Sequence, residues 1–230
     1  MSATTTAKKE KQTENLVLDN FTAIDFLAGN TGRTIMLNRV SWKEYENYLQ
    51  DFENRSGWRL AYDGGKLEIM PPTPEHEEYS FSFQLFVVAY CDVFDLNFEG
   101  RGSTTFRRKF LEKGVEPDEC FYIQTAEKIA GKKLPTKNFP VPDIAVEIDV
   151  TTESLDKLPI YAALKVPEIW IYDGERVSFY VLESEQYRQV SNSSALPQLA
   201  AETLAEFLEM SRAKGQTFAL KSFRARLNGK

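Results

Sequence analysis

Residues 142–151 read Pro-Asp-Ile-Ala-Val-Glu-Ile-Asp-Val-Thr, a pattern that fits an extended strand. Successive side chains of a strand point to opposite faces, so Ile144, Val146, Ile148 and Val150 share one face and Asp143, Glu147 and Asp149 the other. The apolar face requires a core layer beneath it. Three carboxylates on one short strand repel each other unless positive charge sits among them, and a hard divalent cation with oxygen ligands is the commonest remedy. The strand therefore asks for a sheet with its working side at the acids, and for a metal ion.

Spacing divides the acids. Asp143 and Glu147 lie roughly 13 Å apart along the strand, too far for one ion, whereas Glu147 and Asp149 are about half that distance apart and can converge. If residues 118–123 pair antiparallel with residues 144–150, Asp118 falls beside Glu147 and Asp149, and Asp143 falls at the far end near Ile123. An Asp after Pro often only starts a strand, which is the plain reading of Asp143. Glu147 sits mid-strand between apolar neighbours, where an unpaired carboxylate is costly, and so is the central functional candidate. Lys157, expected in the first turn of the following helix, can reach back toward Glu147 and stabilise developing negative charge.

The chain has 230 residues, 42% hydrophobic and 27% charged, which suits one large globular domain. No stretch approaches the roughly 18–20 apolar residues of a membrane span, and residues 1–15 are polar, so a cytoplasmic protein with no membrane partner is expected. Cys91 and Cys120 lie in apolar runs and read as small buried hydrophobes, not as a disulfide or zinc framework. The single histidine, His76, argues against histidine-based zinc catalysis. A net charge of −6 counts against nonspecific polyanion binding but leaves room for a local basic strip, for which Arg101, Arg107, Arg108, Lys109 and Lys113 are the candidates.

Residues 1–15 read as a disordered tail, with a single domain over 16–230. Ser41 and Glu44 form a capping box for a helix over 41–52. Segments 58–62 and 66–70 flank Asp63-Gly64-Gly65 as a hairpin. The proline-rich 71–74 opens a buried helix over 75–94, with Glu75, Glu77 and Glu78 in its first turn. Strands are expected over 103–111, 118–123 and 144–150, the second and third joined by a 20-residue polar segment that is partly helical or functional. A helix over 155–164, strands over 168–173 and 177–182, and a helical extension over 203–228 complete the chain. The three strands before the second helix read as an antiparallel meander, and the helix as a crossover, giving an α/β fold.

Four segments carry a resemblance. They are 62–64 through 70–76 (Tyr-Asp-Gly to Met-Pro-Pro-Thr-Pro-Glu-His), Glu116-Pro117-Asp118, Pro142-Asp143 through Glu147, and Lys157 through Tyr161 leading into Val166-Pro167-Glu168-Ile169-Trp170. Over roughly residues 40–182 the chain resembles the Uma-two family of restriction-endonuclease-like proteins. The resemblance implies a PD-(D/E)XK nuclease fold, a restriction-endonuclease-like mixed sheet flanked by helices with a divalent-metal site. Carried across, the Asp of the first Pro-Asp is Asp118 and the strand glutamate is Glu147. Asp149 holds the place usual for the lysine, and the lysine role moves to Lys157. Lys165 stands where the family often has Gly, which removes a left-handed helix cap.

The expectation is a Mg2+- or Mn2+-dependent DNA endonuclease. Asp118, Glu147 and Asp149 hold the ion, and Asp118, Glu147 and Lys157 carry the chemistry. Glu75, His76, Glu78 and Asp143 stand behind them, adding acid or orienting water. Arg107, Arg108 and Lys109 bind the DNA backbone. The rival is a noncatalytic interaction module that keeps the fold, which Asp149 and the acidic balance favour. Nucleases of this kind often act as dimers, and the C-terminal amphipathic segment offers either a homodimer interface or a cover for its own core.

Overall fold

A computed structural model describes residues 34–53, 57–133, 140–150 and 154–229. The expected tail over 1–15 lies outside them. Strand β1 (Ile35–Asn38) leads to α1 (Trp42–Phe52), whose start is the expected capping box: the Glu44 N–H donates to Ser41 Oγ and the Ser41 N–H to Glu44 Oε2. Strands β2 (Arg59–Asp63) and β3 (Lys66–Met70) form the expected hairpin. Its two loop residues, Gly64 and Gly65, both have positive φ (48° and 99°), which glycine adopts freely and which matches the right-handed twist of the strands.

Helix α2 (Pro74–Phe94) begins at the N-cap Thr73, with Pro74 in the first turn where its missing N–H costs nothing. Then follow β4 (Glu99–Gly100), β5 (Phe106–Arg108), β6 (Lys113–Val115) and β7 (Glu119–Tyr122). The strand expected over 103–111 is thus confined to β5. A single 3-10 turn (Lys109–Leu111) follows, and Glu112, at φ 51°, turns the chain back as β6. The short α3 (Ala126–Ile129) lies in the long polar segment, and β8 (Ile144–Ile148) is the acidic strand.

Helix α4 (Leu158–Leu164) starts three residues later than expected. Pro159 suits the opening of a helix, and Lys157 is the N-cap residue instead of a first-turn residue. Strands β9 (Glu168–Tyr172), β10 (Val177–Glu183) and β11 (Gln186–Val190) precede α5 (Ala201–Lys214) and α6 (Gln216–Leu227). Strand β11 escaped sequence reading because its turn uses Ser184 and Glu185 at positive φ, where glycine or asparagine is the usual signal.

Two sheets result. The first, β1-β3-β2-β6-β5, is antiparallel throughout; the second, β11-β10-β9-β8-β7-β4, is mixed, with β8 and β9 parallel across the α4 crossover. The three-strand meander is corrected accordingly: β5 pairs with β6 in the first sheet, while β7 and β8 pair antiparallel in the second. The mixed sheet flanked by helices is present as expected.

One face of the mixed sheet packs Ile144, Val146 and Trp170 against Phe83 and Phe86 of α2 and Phe207 and Phe223 of the C-terminal helices. The Phe86–Phe223 and Phe207–Phe223 rings lie 5.0 and 5.1 Å apart, so α5 and α6 cover the core instead of extending from it. The other face sets Ala145 and Ile169 against Ile160 and Leu164 of α4 and Ala61 and Val115 of the first sheet. Glu147 shares the parity of Ala145, so its carboxylate faces α4 and the first sheet.

Two local predictions arise here. Lys165 ends α4 in the left-handed region (φ 65°), so the cap that glycine would make freely is kept at a cost of about 1 kcal/mol. Its exposed ion pair with Glu185 offsets little. Lys165→Gly should therefore raise stability by about 0.5 kcal/mol after the extra chain entropy of glycine; denaturant melts that shift downward contradict this. Cys91 and Cys120 are buried, and burial pushes their thiols up to about 11 and about 12. Neither should react with a disulfide reagent at pH 8 in the native protein, and both should react in denaturant.

Candidate active site

At the C-terminal end of β8, Glu147 is only 5% exposed, and both of its oxygens are engaged. Lys157 Nζ lies 2.7 Å from Oε2, and the Tyr161 hydroxyl donates to Oε1. Residues four apart on a helix share a face, which explains why the N-cap lysine and the tyrosine one turn later meet one carboxylate.

Asp118 joins them from just ahead of β7. The register Glu119↔Val146 and the Asp118 N–H donating to the Val146 carbonyl bring it beside Glu147. Its Oδ2 accepts the Ile148 N–H at 2.7 Å, and its Oδ1 lies 3.5 Å from Arg59 Nε. The first sheet adds Glu68 of β3, 1% exposed, with Oε1 3.4 Å from Lys157 Nζ and Oε2 accepting the Leu155 N–H. Two carboxylates, Glu68 and Glu147, thus touch one ammonium, and the charge of Asp118 acts on it from farther away.

Burial raises the Glu147 carboxyl above the usual carboxylate range; the Lys157 charge pulls it back, and Asp118 adds to the rise. Burial alone would discharge Lys157, yet Glu147, Glu68 and Asp118 outweigh it and hold the ammonium above the usual lysine range. The Lys157 ammonium touches two carboxylates, Glu147 at 2.7 Å and Glu68 at 3.4 Å, whereas Glu147 has only that one cation against it. Burial, and then the Glu147 charge, keep Tyr161 a hydroxyl donor well above its ordinary pKa.

Asp149 is half-buried. Its Oδ2 accepts from Ser154 Oγ at 3.1 Å, and its Oδ1 is buried with no hydrogen-bond partner. With Glu147, Lys157, Tyr161 and Met70 it lines a cavity of about 310 Å³. Among the described residues no three His, Cys, Asp or Glu side chains are gathered to hold an ion, so Asp118, Glu147 and Asp149 do not form a preassembled three-carboxylate cage. The donor set nonetheless suits a hard divalent cation. Mg2+ typically sits on one or two carboxylates and keeps several waters, and the cavity offers Glu147 and the unpartnered Asp149 oxygen.

The residues expected behind the site disperse. Glu75 and Glu78 are exposed, Glu75 accepting from the Tyr79 hydroxyl at 3.5 Å. His76 is buried, its Nδ1 3.0 Å from Thr73 Oγ1 and its Nε2 without a partner. The helix-start acid that reaches the cluster is Glu77, 3.6 Å from Arg59 Nη2. Asp143 stands at the other end of β8, where Oδ2 accepts from the Ile123 N–H and from the Thr125 N–H and hydroxyl, a turn-capping role.

In the basic strip, Arg101 pairs with Glu99 and Lys113 with Asp63, while Arg107 and Lys109 are exposed on the β5–β6 hairpin beside the half-buried Arg108. Sequence reasoning missed Glu68, Arg59 and Tyr161. Glu68 carried the same signal as Glu147, an acid between Leu67 and Ile69 in a strand, and that signal suffices to find it.

Fold and site together define an α/β protein with a mixed sheet flanked by helices and a buried carboxylate–lysine centre. The chain belongs to the Uma2 family, whose description reads "Putative restriction endonuclease" and whose family model matches residues 42–213. Among solved structures it is similar to a "putative nuclease belonging to DUF820" from Anabaena variabilis ATCC 29413, at 17% identity and a TM-score of 0.43, covering 65% of this chain and 90% of that one. No curated protein matches the chain.

Proposed function

We propose that the protein is a divalent-metal-dependent endonuclease that hydrolyses DNA phosphodiester bonds. The observation that carries this reading is the buried Glu147, held between the Lys157 ammonium and the Tyr161 hydroxyl with Asp118 beside it. A perturbed, partnered carboxylate lining a cavity supports reading Glu147 as part of a functional site, and family membership supports nuclease chemistry.

Glu147 and Asp149, with Asp118 adjacent, would hold Mg2+ or Mn2+. A bound ion supplies Lewis acidity at a phosphoryl oxygen and lowers the pKa of a coordinated water. Lys157 stays protonated under its three acids, so it acts by charge, stabilising the negative charge that develops on the phosphate, and not as a base. Tyr161 fixes the Glu147 carboxylate by donating to one oxygen, which leaves the carboxylate in one orientation. Glu68 anchors Lys157 and the Leu155 backbone and so sets the approach of the segment ahead of α4. Arg107, Arg108 and Lys109 would bind the DNA backbone, giving a salt-dependent affinity despite the acidic net charge.

The test is calorimetric titration with Mn2+ followed by incubation with plasmid DNA. The reading expects Mn2+ heat, cleavage that chelation abolishes, and loss of both in Glu147→Ala. Absence of metal heat and of cleavage at every ion concentration sinks it. A second reading, a noncatalytic interaction module, is favoured by one observation: both Glu147 oxygens and both Asp118 oxygens already face protein partners. Cutting both strands of a duplex favours a homodimer, and light scattering of the native protein decides that point.

A further inference from the structure

We propose that Arg59 is a resident cation of the acidic centre, competing with the divalent ion for Asp118 and thereby setting how tightly the site holds metal. This rests on the metal-dependent reading above. Arg59, in β2 of the first sheet, is 7% exposed, and its guanidinium is pinned by the carbonyls of Gly57 (3.0 Å) and Trp58 (3.5 Å). Pinning holds its Nε toward Asp118 Oδ1 at 3.5 Å, an ion pair without a hydrogen bond, so this buried Nε–H has no hydrogen-bond partner.

Asp118 has two oxygens, and the Ile148 N–H occupies Oδ2. The other, Oδ1, is the oxygen left to a cation, and Arg59 already stands against it. A guanidinium and a divalent ion cannot both neutralise one buried oxygen, because their mutual repulsion is strong where water is excluded. The guanidinium is shared with Glu77, 56% exposed at its side chain, at 3.6 Å. Its hold on Asp118 is therefore loose, as a displaceable occupant requires. Lys157 plays a different part, since it forms a 2.7 Å hydrogen bond to Glu147 and an ion pair with Glu68 at 3.4 Å.

The experiment is Mn2+ calorimetry on the full chain, with folding checked by circular dichroism. Arg59→Met should bind Mn2+ at least about tenfold tighter than wild type, and Arg59→Lys, which keeps the charge without the fork, should fall between them. In an Asp118→Asn background the same Arg59→Met change should tighten binding less than about threefold, because Arg59 acts through Asp118. If Arg59→Met does not fold, the Arg59→Lys result decides in its place. Mn2+ heat that appears only in the Arg59 variants supports the proposal. An affinity unchanged or weakened in the Arg59 variants, while Glu147→Gln abolishes binding, overturns the role of Arg59 and leaves the metal-dependent reading standing. No heat in wild type or in any Arg59 variant overturns both.

Discussion

Lys157→Met should lower stability by about 3–5 kcal/mol near pH 8, the usual cost of removing one partner from a buried charge group. Methionine refills the volume of the stem but leaves Glu68, Asp118 and Glu147 facing one another without the ammonium. The loss should shrink at pH 5. The folded Glu147 carboxyl has a pKa raised above its unfolded value of about 4.3, so the native state takes up a proton more readily than the unfolded chain. Its ionisation therefore costs stability progressively as pH rises above about 4.3, and the variant, lacking the lysine, suffers this more. The Lys157 charge runs the other way. Its folded pKa is raised, so its contribution is complete below the unfolded value of about 10.4 and is lost only as pH climbs past it. Urea denaturation of both proteins at pH 5 and pH 8 measures the difference; an equal loss at the two values removes the three-acid account of the centre.

Glu147→Gln should reduce DNA cleavage by at least about 10³-fold while changing stability by no more than about 1 kcal/mol. The amide is isosteric, its oxygen can still accept from Lys157 or Tyr161, and the change removes a buried charge that is already undercompensated. What it removes is the anionic ligand. Nicking of supercoiled plasmid with Mn2+, alongside thermal melts, separates the two effects. Cleavage retained within tenfold of wild type moves the chemistry away from Glu147.

Much of this centre was legible from local pattern. Alternation along β8 puts Glu147 on the face opposite Ile144, Val146 and Ile148, and antiparallel pairing brings Asp118 to it while sending Asp143 to the far end. Those are consequences of a two-residue period and a strand direction, both readable in one dimension. Lys157 was placed by its position just after the strand, although the proline at 159 shifts it from the first helical turn to the cap.

Asp149 shows where local pattern stops. Its parity with Glu147 points it to the same side, but whether its free oxygen meets a cation depends on the 154–158 segment that lines the cavity beside it. Glu75 and Glu78 show it again. A helix N-terminus favours acids generally, and only the docking of α2 picks Glu77, through Arg59, as the one that touches the cluster.

From its sequence alone, the chain determined the mixed α/β class, the acidic strand, the pairing of Asp118 with Glu147, and the capped helix and glycine hairpin near its start. Each follows from neighbours within a few residues or from strand periodicity. Only the tertiary structure decided that the described strands divide between two sheets, that β5 belongs to the first, and that Glu68 and Arg59 cross from that sheet to meet Lys157 and Asp118. Sheet-on-sheet contact joins residues about 60 to 90 positions apart with no shared period to announce it, so the balance of three acids against two resident cations exists only once the layers pack.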